Sequence, residues 1–153
     1  MIKLVDLLNE GVYDPGIFKA VFTGGGPGSG KSFAASELFG IPEKMPFVSA
    51  RGLKGVNTDS AFEASLKRAG LGTDLSVMDA DQFAQSQVLR KKAKKAVASQ
   101  LEHYIKGKLG LLIDGTGHNY SKIVDRKKRL EKLGYDTFMV FVNTSLQVAL
   151  QRN

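Results

Sequence analysis

Near-continuous apolar runs recur along the chain, at 18–22, 109–113 and 137–142, and a short, more mixed strand is read at 53–58. Runs of four to eight residues without alternation are what strands covered on both faces look like. Between them the apolar spacing changes to the helical period. Segment 32–38 predicts a helix, as does 61–69, where Phe62 and Leu66 stand four apart and Gly70 stops the pattern. The longest predicted helix, 82–106, starts at Asp79 or Asp81 after an irregular stretch at 71–80. At about 100° per residue, Phe83, Ala93, Val97, Leu101 and Tyr104 share one face. Lys91, Lys92 and Lys95 point elsewhere, but Arg90 falls within the apolar stripe, either reaching to its rim or aimed into a site from a facing helix. A further helix spans 121–133, capped by Gly134, and Ser145 opens a last helical segment. Leu4, Leu7 and Leu8 predict a short helix at 3–9, broken by Gly11 and Asp14-Pro15. Pro42 and Pro46 forbid a regular element in the connector at 40–46.

Four strands alternating with helices predict an α/β fold, with a parallel sheet covered by helices on both faces. At 153 residues the expectation is a single domain, 1–153, large enough for a real core. Ligands of such sheets bind at the carboxyl edge of the strands, and Asp59, Asp114, Thr116 and Asn143 are all expected there.

Phe18 to Phe22 runs into a glycine-rich loop that fits G-x-x-x-x-G-K-[ST], with Gly25, Gly30, Lys31 and Ser32 at its fixed positions. A strand precedes it and a helix follows, the context in which this pattern carries a mechanism. Glycines let successive backbone N–H groups turn inward around an anion, and the positive end of the next helix adds to that field. The segment Gly25, Gly26, Pro27, Gly28, Ser29, Gly30, Lys31, Ser32, Phe33 is therefore the expected binding loop for a nucleoside triphosphate. Lys31 bridges its outer phosphates and the Ser32 hydroxyl holds Mg²⁺. The competing reading is a glycine-rich turn that happens to carry a lysine. Downstream, the 109–113 run ends in Asp114, positioned for Mg²⁺ through water; the plainer alternative is an ordinary strand-terminal aspartate. Asp59, after the second strand, is the candidate general base, a role compatible with capping the helix that follows.

Composition narrows this further. Net charge is +7, from 22 Lys+Arg against 15 Asp+Glu, which favours an anionic partner, whether phosphate-rich ligand or nucleic acid. Much of the surplus lies at 90–95 and 126–132, where solvated helix faces would look the same. The chain has no cysteine, which excludes disulfides and thiolate metal sites and fits a reducing compartment. No apolar run approaches the roughly 20 residues of a membrane span, and the first ten residues are too short and acidic for a signal sequence. The expectation is a cytoplasmic protein with no membrane contact. His103 and His118 have no ligand-like spacing. An Asn-Lys-x-Asp guanine-recognition segment is absent, and the chain is short for a motor or AAA-type ATPase. A small ATP-dependent phosphoryl-transfer enzyme remains.

Four blocks, Gly25-Gly-Pro-Gly-Ser-Gly-Lys-Ser32, Val56-Asn-Thr-Asp59, Leu112-Ile-Asp-Gly-Thr116 and Val142-Asn-Thr-Ser-Leu-x-x-Ala-Leu-x-Arg152, are spaced so that the chain from about Ala20 onward resembles the polynucleotide kinase and zeta-toxin group of P-loop kinases. The last two blocks resemble phage-encoded members, which would operate in a host cytoplasm. The resemblance implies a three-layer P-loop sandwich, with ATP and Mg²⁺ bound. It also implies a general base at Asp59, a Walker B acid at Asp114, and Thr116 near phosphate or acceptor. The acceptor would be a hydroxyl of a nucleic acid, nucleotide or sugar nucleotide. Arg90 matches no motif of the group and stays a geometric candidate for the substrate side, together with Arg152. In the group, the segment after the fourth strand runs into an arginine-bearing lid and a fifth strand, but this sequence stops at Asn153. That departure leaves open a protein partner completing the domain. It also leaves open two other functions: a non-catalytic nucleotide-binding module, or a nucleic-acid-binding protein acting through its basic helices.

Overall fold

In the computed structural model, residues 16–40, 48–49, 51–115, 117 and 119–151 are described. The predicted helix at 3–9, the connector at 41–46, Thr116, His118 and Arg152 lie outside them. The chain forms two compact units, one from Met1–Val56 with Tyr104–Asn153, the other Asn57–His103.

The first unit holds a four-stranded, all-parallel sheet in the order β2-β3-β1-β4. Its strands are β1 (Lys19–Gly24), β2 (Lys54–Val56), β3 (Leu111–Ile113) and β4 (Asp136–Phe141). β3 is buried throughout, as its apolar run requires, and β1 likewise, its polar Lys19 and Thr23 included. β4 forms an edge and is mostly exposed. Register puts Val21 beside Leu112 and Phe138, all on one face. There helix α1 (Lys31–Phe39) seals the sheet, with Phe39 fully buried against Val21, Leu53 and Leu112. On the opposite face, helix α4 (Tyr120–Lys132) is tied to β4 by the Thr137 hydroxyl, which donates to Glu131 Oε1 at 2.8 Å. A short helix, α5 (Leu146–Gln151), follows β4. The sheet therefore carries helices on both faces.

β1 begins one residue later than its apolar run suggests. Phe18 adopts a left-handed φ of 55°, its carbonyl accepts from Asp136 N, and its ring packs edge-on to Tyr135 at 5.5 Å. Lys108 lies 5.3 Å over the same ring, and the backbone bond from Phe18 N to Lys108 O fixes the corner. Tertiary contacts thus take Phe18 out of the strand.

The second unit is built on α2 (Thr58–Arg68) and most of α3 (Ala80–Lys106), joined through a 3₁₀ turn at Leu75–Val77. Phe62 and Leu66 of α2 pack on Ala93, with Leu71, Leu75, Met78 and Leu89 around them. Two boundaries differ from expectation. Helix α2 starts three residues earlier, because Asn57, not Asp59 or Ser60, is its N-cap; the Asn57 Oδ1 accepts from Asp59 N at 2.8 Å and Ser60 N at 3.1 Å. Helix α3 is closed by a reciprocal pair in which Gln82 N donates to Asp79 Oδ1 and Asp79 N to Gln82 Oε1, a capping box. Ala93, Val97 and Leu101 are buried as the periodicity predicts, whereas Phe83 is 47% exposed.

Candidate functional site

β1 ends at Gly24 and the chain turns at once into the loop that leads to α1. The turn is tight enough to dictate residue type. Gly25 has φ 145°, and a Cβ there would stand 2.5 Å from Val142 O; Gly28 has φ 68°, and a Cβ would stand 2.3 Å from Ala149 O. No L side chain fits either position. The loop is thus braced from outside by the segment after β4 and by α5.

Helix α1 starts immediately behind, with Gly30 as a left-handed N-cap that offers no side-chain oxygen. The first intrahelical bond runs from Ala34 N to Gly30 O, so the N–H groups of Lys31, Ser32 and Phe33 point out of the helix end without partners in their own helix. These orphan donors and the helix dipole favour an anion at that end. A nine-residue helix with no acid in its first turn leaves that field uncompensated by its own side chains.

Lys31 folds back over the loop. Its Nζ donates to Gly25 O at 2.8 Å and Gly26 O at 3.1 Å, which holds the ammonium above the mouth. The Ser29 hydroxyl is buried and makes no hydrogen bond. A buried polar atom without a partner costs about 1–3 kcal/mol, and sites that tolerate one are commonly completed by a ligand. Ser32, Gly26 and Pro27 are exposed, and Phe33 is 72% exposed at the loop rim.

Asp114 follows β3 directly, with its N–H bonded to Val56 O. Its Oδ1 accepts from the Thr23 hydroxyl of β1 at 2.5 Å. The carboxylate is thereby fixed at the carboxyl edge through Thr23, which stands two residues before Gly25, where the loop begins. Sequence reasoning passed over Thr23, whose register position across the β1–β3 pair was its only signal. Among the described residues no group of three or more His, Asp or Glu side chains forms a metal cage. A single carboxylate with a hydroxyl nonetheless suits Mg²⁺, which keeps waters and relies on substrate phosphates.

Beside this edge, on the face away from α1, lies a cavity of about 200 Å³. Phe22, Ile113 and Ile123 give it an apolar floor, and Thr23 and Asp114 form one wall. Lys122 and Arg126, one turn apart on α4, form another. Arg126 is exposed, yet partial desolvation of its guanidinium is the larger cause holding its pKa below the usual value, with repulsion from Arg129 second. The sequence reading assigned no role to Lys122 or Arg126; their four-residue spacing at a helix start was the available signal.

The structure thus brings together Gly25 to Phe33 and Asp114 at one sheet edge. Asp59 and Arg90 belong to the other unit. Asp59 is exposed in the first turn of α2, where a carboxylate complements the positive helix end. The Arg90 guanidinium lies 5.1 Å from the centre of the Phe62 ring, a cation–π contact. What the fold defines is an α/β protein with an all-parallel sheet and a glycine-rich loop at its carboxyl edge. No family model matches the chain, and no curated protein matches it. No helix among the described residues is long and apolar enough to cross a membrane.

Proposed function

We propose that the chain is an ATP-dependent kinase that moves the γ-phosphoryl group to the hydroxyl of a nucleic acid, nucleotide or sugar nucleotide. The observation that carries this reading is the loop between β1 and α1, where the Lys31 ammonium caps a mouth of backbone donors beside the unpartnered Ser29 hydroxyl. That arrangement suits a polyphosphate better than any neutral ligand.

In this reading the loop from Gly25 to Phe33 binds the phosphates, and Lys31 moves from its carbonyl partners to oxygens of the β- and γ-phosphates. Ser32 and Asp114 would hold Mg²⁺, which would neutralise phosphate charge. The acceptor oxygen attacks γ-phosphorus as the bond to the β–γ bridging oxygen breaks. Its proton would pass to a general base, the role that the family resemblance assigns to Asp59, and ADP leaves with the bridging oxygen. Thr116, Arg90 and Arg152 are assigned to the acceptor or transferring phosphate, Thr116 by the family resemblance alone.

Incubation with γ-labelled ATP and panels of hydroxyl acceptors tests this. Label transfer abolished by Asp59→Asn, with ATP binding retained, is the expected result. ATP binding without transfer to any acceptor would leave a nucleotide-binding module and end the kinase assignment.

A further inference from the structure

The cavity on the α4 face is not part of the phosphate loop, and its lining is chemically divided. One wall is cationic. Lys122 stands in the first turn of α4, where the helix dipole is already positive and where no acidic residue offsets it. Arg126 follows one turn later on the same face. The ion pair recorded on this helix among the described residues joins Lys127 to Glu131 and includes neither. Among the described residues no ion pair is recorded for either cation, and cations gathered against a positive helix end break a local rule of helix design, a kind of break that concentrates at functional sites. Asn119 cannot supply the missing negative charge: its Oδ1 accepts from Lys122 N and the Ser121 hydroxyl as the helix cap.

The other wall has opposite polarity. The Asp114 carboxylate, held by Thr23, repels a second anionic group and can accept a hydrogen bond from a hydroxyl. Between the walls, Phe22, Ile113 and Ile123 suit a carbon skeleton. A volume of about 200 Å³ lies below the roughly 300–1,000 Å³ of pockets for larger ligands. It therefore suits one phosphorylated sugar-sized unit. The cavity also adjoins the phosphate loop: Gly117 at its rim lies so near β1 that a Cβ there would stand 3.7 Å from the Gly24 Cα.

We propose that this cavity is the acceptor subsite and takes a small phosphomonoester that also bears hydroxyl groups, its phosphate on Lys122 and Arg126 and its hydroxyl end toward Asp114. The role as acceptor rests on the kinase reading; the binding does not.

Calorimetry on the full chain, with ribose 5-phosphate, ribose, inorganic phosphate and ATP as probes, separates the two. Ribose 5-phosphate is expected to bind more tightly than inorganic phosphate, and ribose to give no heat. Lys122→Ala and Arg126→Ala should each weaken ribose 5-phosphate roughly tenfold or more, since each removes a charge-assisted contact. ATP affinity should stay unchanged in both. Lys31→Ala should do the reverse. Both substitutions put a strong helix former at an exposed helical position, and unchanged circular dichroism will verify the fold. No heat with ribose 5-phosphate while ATP binds overturns the subsite and leaves the nucleotide reading standing. Loss of ATP binding by the unaltered chain, with ribose 5-phosphate still sensitive to Lys122 and Arg126, does the opposite. Inorganic phosphate binding as tightly as the sugar phosphate would overturn the hydroxyl-bearing ligand, and so would tighter, Arg126-dependent binding of an oligothymidylate with a 5′-hydroxyl.

Discussion

Replacing Lys31 by methionine keeps the aliphatic stem and removes only the ammonium. In the free protein that ammonium makes two contacts, to Gly25 O at 2.8 Å and Gly26 O at 3.1 Å, at a half-buried position. Gly26 is exposed, so water replaces much of what its carbonyl loses. The folded state should therefore give up less than about 2 kcal/mol, a fall in Tm of roughly 4–8 °C at most. Nucleotide binding should respond far more strongly. Each hydrogen bond between the ammonium and a phosphate oxygen contributes about 1.5–3 kcal/mol, so losing contacts to two phosphates removes roughly 3–6 kcal/mol. Subtracting the carbonyl contacts that the wild-type lysine gives up on binding leaves a Kd for ATP raised roughly a hundredfold. Titration of a fluorescent ATP analogue, alongside thermal melts, reads both effects. A Kd within threefold of wild type at an unchanged Tm would refute the argument, because the helix end and loop amides alone would then be binding whatever binds.

Gly28→Ala forces a side chain onto a left-handed residue 2.3 Å from Ala149 O. It should cost about 2–3 kcal/mol, loosen α5 from the loop and weaken ATP binding, seen in urea unfolding and nucleotide titration. Asn57→Ala removes the acceptor for two N–H groups of α2 and should lower stability by about 1 kcal/mol, measured as the urea midpoint. The Glu131 carboxyl is held below its ordinary value of 4.5, chiefly by the Lys127 hydrogen bond and next by that of Thr137. A depressed acid contributes stability above that ordinary value and loses it as pH falls through the lower, folded value. Glu131→Gln should therefore flatten the acid limb of a stability–pH profile; an unchanged limb below about pH 4 would show that the pair contributes nothing.

Much of the site was legible because its chemistry is encoded locally. The loop declares itself in eight consecutive residues, and the glycines demanded at Gly25 and Gly28 are the ones present. Strands β1 and β3 were legible for a related reason: a strand covered on both faces has no polar alternation to confuse it. Boundaries fared worse where competing caps stood side by side. Asn57, Asp59 and Ser60 are all good N-cap residues, and only the backbone geometry, with Asn57 at φ −137° and ψ 118°, selects among them. Phe83 fits the apolar face of α3 by angle but lies in the first turn, where periodicity alone cannot ensure a covering partner.

The sequence by itself determined that a glycine-rich loop sits between a buried strand and a helix, since glycine, lysine and serine at fixed offsets need no distant residue to form it. Tertiary structure alone decided which residues meet at the edge of the sheet. Thr23 and Asp114 are 91 positions apart and bond because β1 and β3 are neighbours. Lys122 and Arg126 become one cationic wall across from a carboxylate only because the fold sets α4 beside the ends of those strands. Periodicity fixes the face of an element; which other element that face meets depends on chain topology.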